Sequence, residues 1–247
     1  MGGIVTVRQA GFTLLEAAVV LVIIGLILGA VSIGKDLHRN AEQEIVYAKF
    51  IQPWAAAYNE YFARTGVVVG DSETSPTLKV NGNTKILCDD DSGTAGQLLD
   101  LMDDVGIDPP PGRAEGHEDR YIRLDTNGNP QEIQVCFKNI EWPDSTNVSL
   151  NNKNVMIIRG LNPDLARHLD ATIDGRPDAR FGLFRQAARN CNAHPGQPGG
   201  VSNPNGSVCG TASLEWRPDN ETNFNGNARN YDEDQVSVVT AVYRMNE

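Results

Sequence analysis

Residues 12–34, FTLLEAAVVLVIIGLILGAVSIG, hold a single ionisable side chain, Glu16. At about 1.5 Å rise per residue a helix of that length reaches ~35 Å, enough to cross a hydrocarbon core of ~30 Å. A short polar stretch with one charge, Arg8, precedes it, and Lys35, Asp36, His38 and Arg39 follow at once. Those flanking cations do not settle orientation by the positive-inside count. The chain as a whole is ordinary by comparison. With 40% apolar residues it is not disordered, and 24 Gly and 13 Pro exclude a collagenous or low-complexity chain. Its formal charge of −11, from 21 basic and 32 acidic residues, argues against nucleic acid as a partner.

Three readings of the apolar segment compete. A cleaved secretory signal has a shorter apolar core with the small-residue site after it, whereas here Gly11 comes before it. A plain membrane anchor explains the length but not Glu16, because a carboxylate at membrane depth costs ~2.5–3.5 kcal/mol on insertion scales. The third reading accounts for both. Gly11-Phe12-Thr13-Leu14-Leu15-Glu16 resembles the prepilin processing motif of type IV pilins and type II secretion pseudopilins. The resemblance implies cleavage after Gly11 by a prepilin peptidase, methylation of the new N-terminus at Phe12, and pairing of Glu16 with the Phe12 amine of a neighbouring subunit. It also implies an inner-membrane precursor that later joins an extracellular or periplasmic filament of pilin-like subunits. The chain departs from many pilins in carrying Ile33, not Pro, about twenty residues into the mature helix.

Beyond the apolar run, Leu37, Ala41, Ile45, Ala48, Ile51, Ala55, Tyr58 and Phe62 recur at spacings of three and four. They predict one long helix over roughly 12–64, kinked near Ile51–Pro53 and stopped at Gly66. Thr77–Cys88 reads as a hairpin around Asn81-Gly82, and Arg120–Phe137 as another around Asn127-Gly128. Further strands are expected at Val148–Leu150, Asn154–Ile158, Leu214–Trp216 and Gln235–Met245. Helices are expected at Ala95–Val105 and Pro163–Thr172, the second capped by Asn162. The fold class is therefore α+β: a long N-terminal helix, half membrane-spanning and half amphipathic, on an antiparallel-sheet head. The expected division is leader 1–11, membrane and filament-core helix 12–34, amphipathic continuation 35–65, and extracytoplasmic head 66–247.

Cys88, Cys136, Cys191 and Cys209 all fall in the part expected outside the cytoplasm. Four cysteines allow three pairings. We favour Cys88–Cys136, joining the two hairpins, and Cys191–Cys209, closing the loop between; chain entropy assigns them about 4 and 3 kcal/mol. Zinc is the rival reading, but no close pair or Cys/His cluster supports it. No cofactor is expected except calcium, which major pseudopilins as a group bind near the C-terminal part of the domain; by that resemblance Asp232 and Asp234 are the candidate ligands. Their competing reading is a set of charges flanking a strand. Asp89–Asp91, Gly116-His117-Glu118-Asp119 and the Asp170, Asp174, Asp178 group read as solvated turns. No nucleophile elbow, P-loop or dinucleotide fingerprint is present, and the chain reads as a structural subunit, not an enzyme. A type II secretion pseudopilin and a membrane-anchored adhesin or binding module are the alternatives.

Overall fold

The computed structural model describes residues 13–83, 86–89, 98–124, 128–143, 150–187, 214–217 and 238–245. The chain divides into two compact units, Met1–Glu42 and Gln43–Glu247. A continuous helical run, Leu14–Thr65, opens it. Helix α1 (Leu14–Val46) passes through a π-helical turn, Tyr47–Ile51, into α2 (Gln52–Thr65). The expected break near Pro53 is this turn. Proline has no N–H, and its ring collides with the carbonyl four residues back, here that of Lys49. The backbone answers by widening, so that the Gln52 N–H donates to Tyr47 O, five residues back. Gly66, at φ 75°, ends α2 in the left-handed region and donates its N–H to Phe62 O.

The amphipathic face differs from the expected one. Leu37, Ala41, Ile45, Ala48 and Phe62 are exposed, while Gln43, Val46, Phe50, Trp54, Ala57 and Tyr61 are buried, joined by Ile51 and Tyr58 from the predicted set. Gln43, Val46, Phe50, Trp54, Ala57 and Tyr61 keep spacings of three and four through the π turn, so the buried face is one continuous stripe, rotated to one side of the predicted one.

The head is built on a five-stranded antiparallel sheet in the order β1 (Arg120–Leu124), β2 (Pro130–Pro143), β3 (Leu150–Leu161), β5 (Val239–Arg244), β4 (Phe184–Gln186). Helix α3 (Leu98–Asp104) and helix α4 (Pro163–Asp174) complete it. β1 and β2 are the hairpin expected around Asn127-Gly128, pairing from Arg120↔Gln134 to Leu124↔Pro130. On one sheet face Phe137 stacks on Tyr58 at 5.1 Å and lies 6.3 Å from Trp54, and Phe50 meets Tyr121 at 5.3 Å. A second apolar cluster comprises Cys136, Ile140, Trp142, Val155, Ile157, Ala187 and Val242. There the Arg185 guanidinium lies 4.3 Å from the Trp142 ring centroid. β3 carries a register shift between Ile158 and Leu161, with Gly160 at φ 78°. A Cβ at Gly160 would overlap the Glu132 carbonyl, so only glycine fits this close approach.

Two sequence expectations are corrected. Among its described residues Thr77–Cys88 does not pair as a hairpin: Asn81 and Gly82 do adopt left-handed conformations within the tight turn Val80–Asn83, but their flanks bond elsewhere. The Val80 N–H donates to Asn154 Oδ1, the Asn81 N–H to Val69 O, and Leu87 bridges Phe137. Leu214–Trp216 is likewise no strand; it is held by bonds to loop and side-chain partners. Helix α4 follows its signals closely, the Asn162 side chain accepting the Leu165 N–H at 2.8 Å.

Candidate functional site

The first turn of α1 is a reciprocal cap. Glu16 Oε2 accepts the Thr13 N–H at 2.8 Å and the Thr13 hydroxyl at 2.9 Å, while Thr13 Oγ1 accepts the Glu16 N–H at 3.2 Å. Two of the donors that every helix start leaves unpaired are thereby satisfied. Both carboxylate bonds fall on Oε2; among the described residues no donor reaches Oε1. The Thr-x-x-Glu spacing of a capping box was present in the sequence, but the processing-motif reading of the same residues did not use it. Gly11 and Phe12 lie outside the described residues.

After the cap, every residue from Thr13 to Lys35 is exposed, including Leu14 at 90% and Leu28 at 65%. Cβ atoms built at Gly25 and Gly29 would meet nothing within 4 Å. A helix apolar on all sides is stable only within lipid or among other helices. Among the described residues it is the one helix long and apolar enough to cross a membrane.

Asp89, Asp119, Asp170 and Asp178 are buried, not part of solvated turns. Asp119 is fully buried and Asp89 is 9% exposed. Gln134 bridges them, donating from Nε2 to Asp89 O at 2.9 Å and to Asp119 Oδ2 at 2.8 Å, and Arg120 Nε stands 3.7 Å from Asp119 Oδ1. Burial, then the charges of Asp119 and Asp100, pushes the Asp89 carboxyl up to about 6 against the pull of His117 and Arg120. Burial also raises Asp119, although the Gln134 bond and Arg120 oppose it. Asp170 is fully buried and accepts the Trp216 indole N–H at 2.8 Å. Asp174 instead takes the Leu183 and Phe184 N–H groups, an approach that requires Gly182, whose Cβ would collide with that carboxylate. These positions knit the head together. Polarity along the sequence carries no sign of it, because burial of a short polar run is decided by what folds over it.

Cys88 and Cys136 form a disulfide with Cα atoms 4.5 Å apart, tying the segment before α3 to the middle of β2. Cys191, Cys209, Asp232 and Asp234 lie outside the described residues, as do Asp90 and Asp91. Among the described residues no three His, Cys, Asp or Glu side chains gather as a metal cluster.

A family profile described as the prokaryotic N-terminal methylation motif matches residues 7–32. Searches of curated proteins and of solved structures find no significant match to the chain. The matched stretch contains both the Thr13–Glu16 cap and the start of the fully exposed helix, and the head behind it has the long-helix, antiparallel-sheet architecture of a pilin-like α+β protein. Residues 7–32 therefore carry the prepilin-type motif of type IV pilins and pseudopilins, the mark of pilin-like structural subunits.

Proposed function

We propose that the chain is a structural subunit of a type IV pilus or pilus-like filament, cut between Gly11 and Phe12 by a prepilin peptidase and polymerised through α1. The observation that carries this is the register of Gly11, Phe12 and Glu16 inside the matched motif, followed at once by a helix with no buried side. Before assembly that helix rests in the inner membrane; afterwards neighbouring subunits supply its surround. About 180 residues follow the helix, a head large for a simple secretion pseudopilin, which favours a pilus component.

Glu16 separates a filament subunit from a simple anchor. With Oε2 engaged by its own Thr13, Oε1 is the atom that meets the Phe12 amine of a neighbour. The pairing exists only in the polymer, whereas the membrane-held subunit bears the ~2.5–3.5 kcal/mol insertion cost. Glu16→Ala is expected to insert at least as well as wild type, keep a folded head, and fall sharply in sheared surface fibres relative to the membrane pool. Glu16→Gln behaves like Ala where charge is required. Mass analysis of each variant must confirm a mature N-terminus at Phe12. Undiminished incorporation of correctly processed Glu16→Ala would remove the pairing role. Wild-type surface function with no fibre incorporation would favour an anchored adhesin.

A further inference from the structure

Residues 214–217 are fastened to the head at several points. Leu214 O accepts the Ala179 N–H at 3.0 Å, and Arg217 exchanges two bonds with the Gln186 side chain, at 2.6 and 3.1 Å. Trp216, 1% exposed, lies against Phe184 at 5.4 Å and donates its indole N–H to Asp170. Asp170 has no exposure, and its Oδ1 has no hydrogen-bond partner among the described residues. It is one helical turn before Asp174 on α4, and Asp178 follows in the next loop. A neutral carboxyl suits this apolar box. A charged one loses its water, faces two like-charged neighbours, and among the described residues keeps only the Trp216 and Asp178 N–H groups as attraction.

We propose that Asp170 and Trp216 form a proton-operated pin, in which the seated form of residues 214–217 holds one proton that the unseated form releases. Unseating hydrates Asp170 and lets it ionise as an ordinary carboxylate. Burial, followed by the indole bond's opposing pull and the charges of Asp174 and Asp178, leaves the seated carboxyl at about 8. Among the described residues no cation pairs with Asp170. Arg176 pairs with Asp178, Arg217 with Glu215, the Arg180 guanidinium lies over Phe181, and the Arg185 guanidinium lies over Trp142 with its Nε donating to Gly182 O and its charge felt by Asp174 and Asp178. One-proton linkage then makes the unseating equilibrium rise about tenfold per pH unit, from above the usual carboxylate range up to about pH 8, and level off beyond. The inference stands apart from the filament reading.

Hydrogen exchange of the full-length chain in detergent micelles, from pH 5 to 9 and corrected for the intrinsic pH dependence of exchange, reads this directly. Wild type is expected to show the tenfold-per-unit loss of protection in peptides covering 214–217, while β2 and β3 keep theirs. Asp170→Asn, neutral at every pH and still an acceptor for the indole, is expected to lose the slope. Trp216→Phe keeps the ring but removes a donor that favours the charged carboxyl, so its levelling-off moves to higher pH. Protection of 214–217 in wild type that does not vary between pH 5 and 9, or an equal slope in Asp170→Asn, would overturn the pin.

Discussion

A carboxyl group withdrawn from water needs a proton or a cation, and Asp89 and Asp119 divide those remedies. Asp119 has Arg120 within 3.7 Å and the Gln134 amide on its other oxygen. Asp89, beside that charge and nearly as buried, is held at about 6. Its folded value lies above its unfolded one, so its contribution to stability is fully present below about pH 4 and is lost as pH rises through about 6. Asp89→Asn is expected to gain on wild type across that window, by at most ~1.4 kcal/mol per pH unit. Urea unfolding midpoints at pH 4.5 and pH 7 check this; a difference that does not change with pH would dismiss it. The three-Asp run containing Asp89 looks like solvated surface in the sequence, and so does the His117–Asp119 turn. The burial of Asp89 and Asp119 was not legible because it depends on Gln134 and Arg120 arriving from the β1–β2 hairpin.

Elements whose signals are local were legible. The α4 cap needs only Asn162 and the next three residues, and the Arg120–Phe137 hairpin needs only its own turn and alternation. Where backbone partners come from far along the chain, local signals misled. Asn81-Gly82 turns as such a dipeptide should, but Val80 bonds to Asn154, 74 residues away, and no hairpin closes among the described residues. The close approach of β3 to the neighbouring β2 has a similar long-range demand at Gly160. Gly160→Ala places a methyl on the Glu132 carbonyl and strains a positive φ, so a loss of roughly 1–3 kcal/mol is expected. Tyr58→Ala, removing a ring stacked on Phe137 between helix and sheet, is expected to cost about 3–5 kcal/mol. Denaturant titrations rank both, and a fully stable Gly160→Ala head would mean that the bulge relaxes without cost.

Across the whole molecule, the Cys88–Cys136 bond joins positions 48 residues apart, and chain entropy assigns it about 4 kcal/mol. Thermal melts of wild type and Cys88→Ala/Cys136→Ala are expected to differ by several degrees or more, with the N-terminal helix content unchanged; equal melts would mean that reduced chains gain compensating structure. The sheet order has a consequence in time. β5, at residues 239–244, is the last strand in sequence yet lies between β3 and β4. While the chain emerges from the ribosome, α1 is complete long before the sheet can close, and β3 and β4 wait with open edges for a strand not yet made. A chain cut short before residue 239 would thus be left unfinished, with the facing edges of β3 and β4 unpaired and exposed to proteases, so closure of the sheet signals that translation has reached the end of β5.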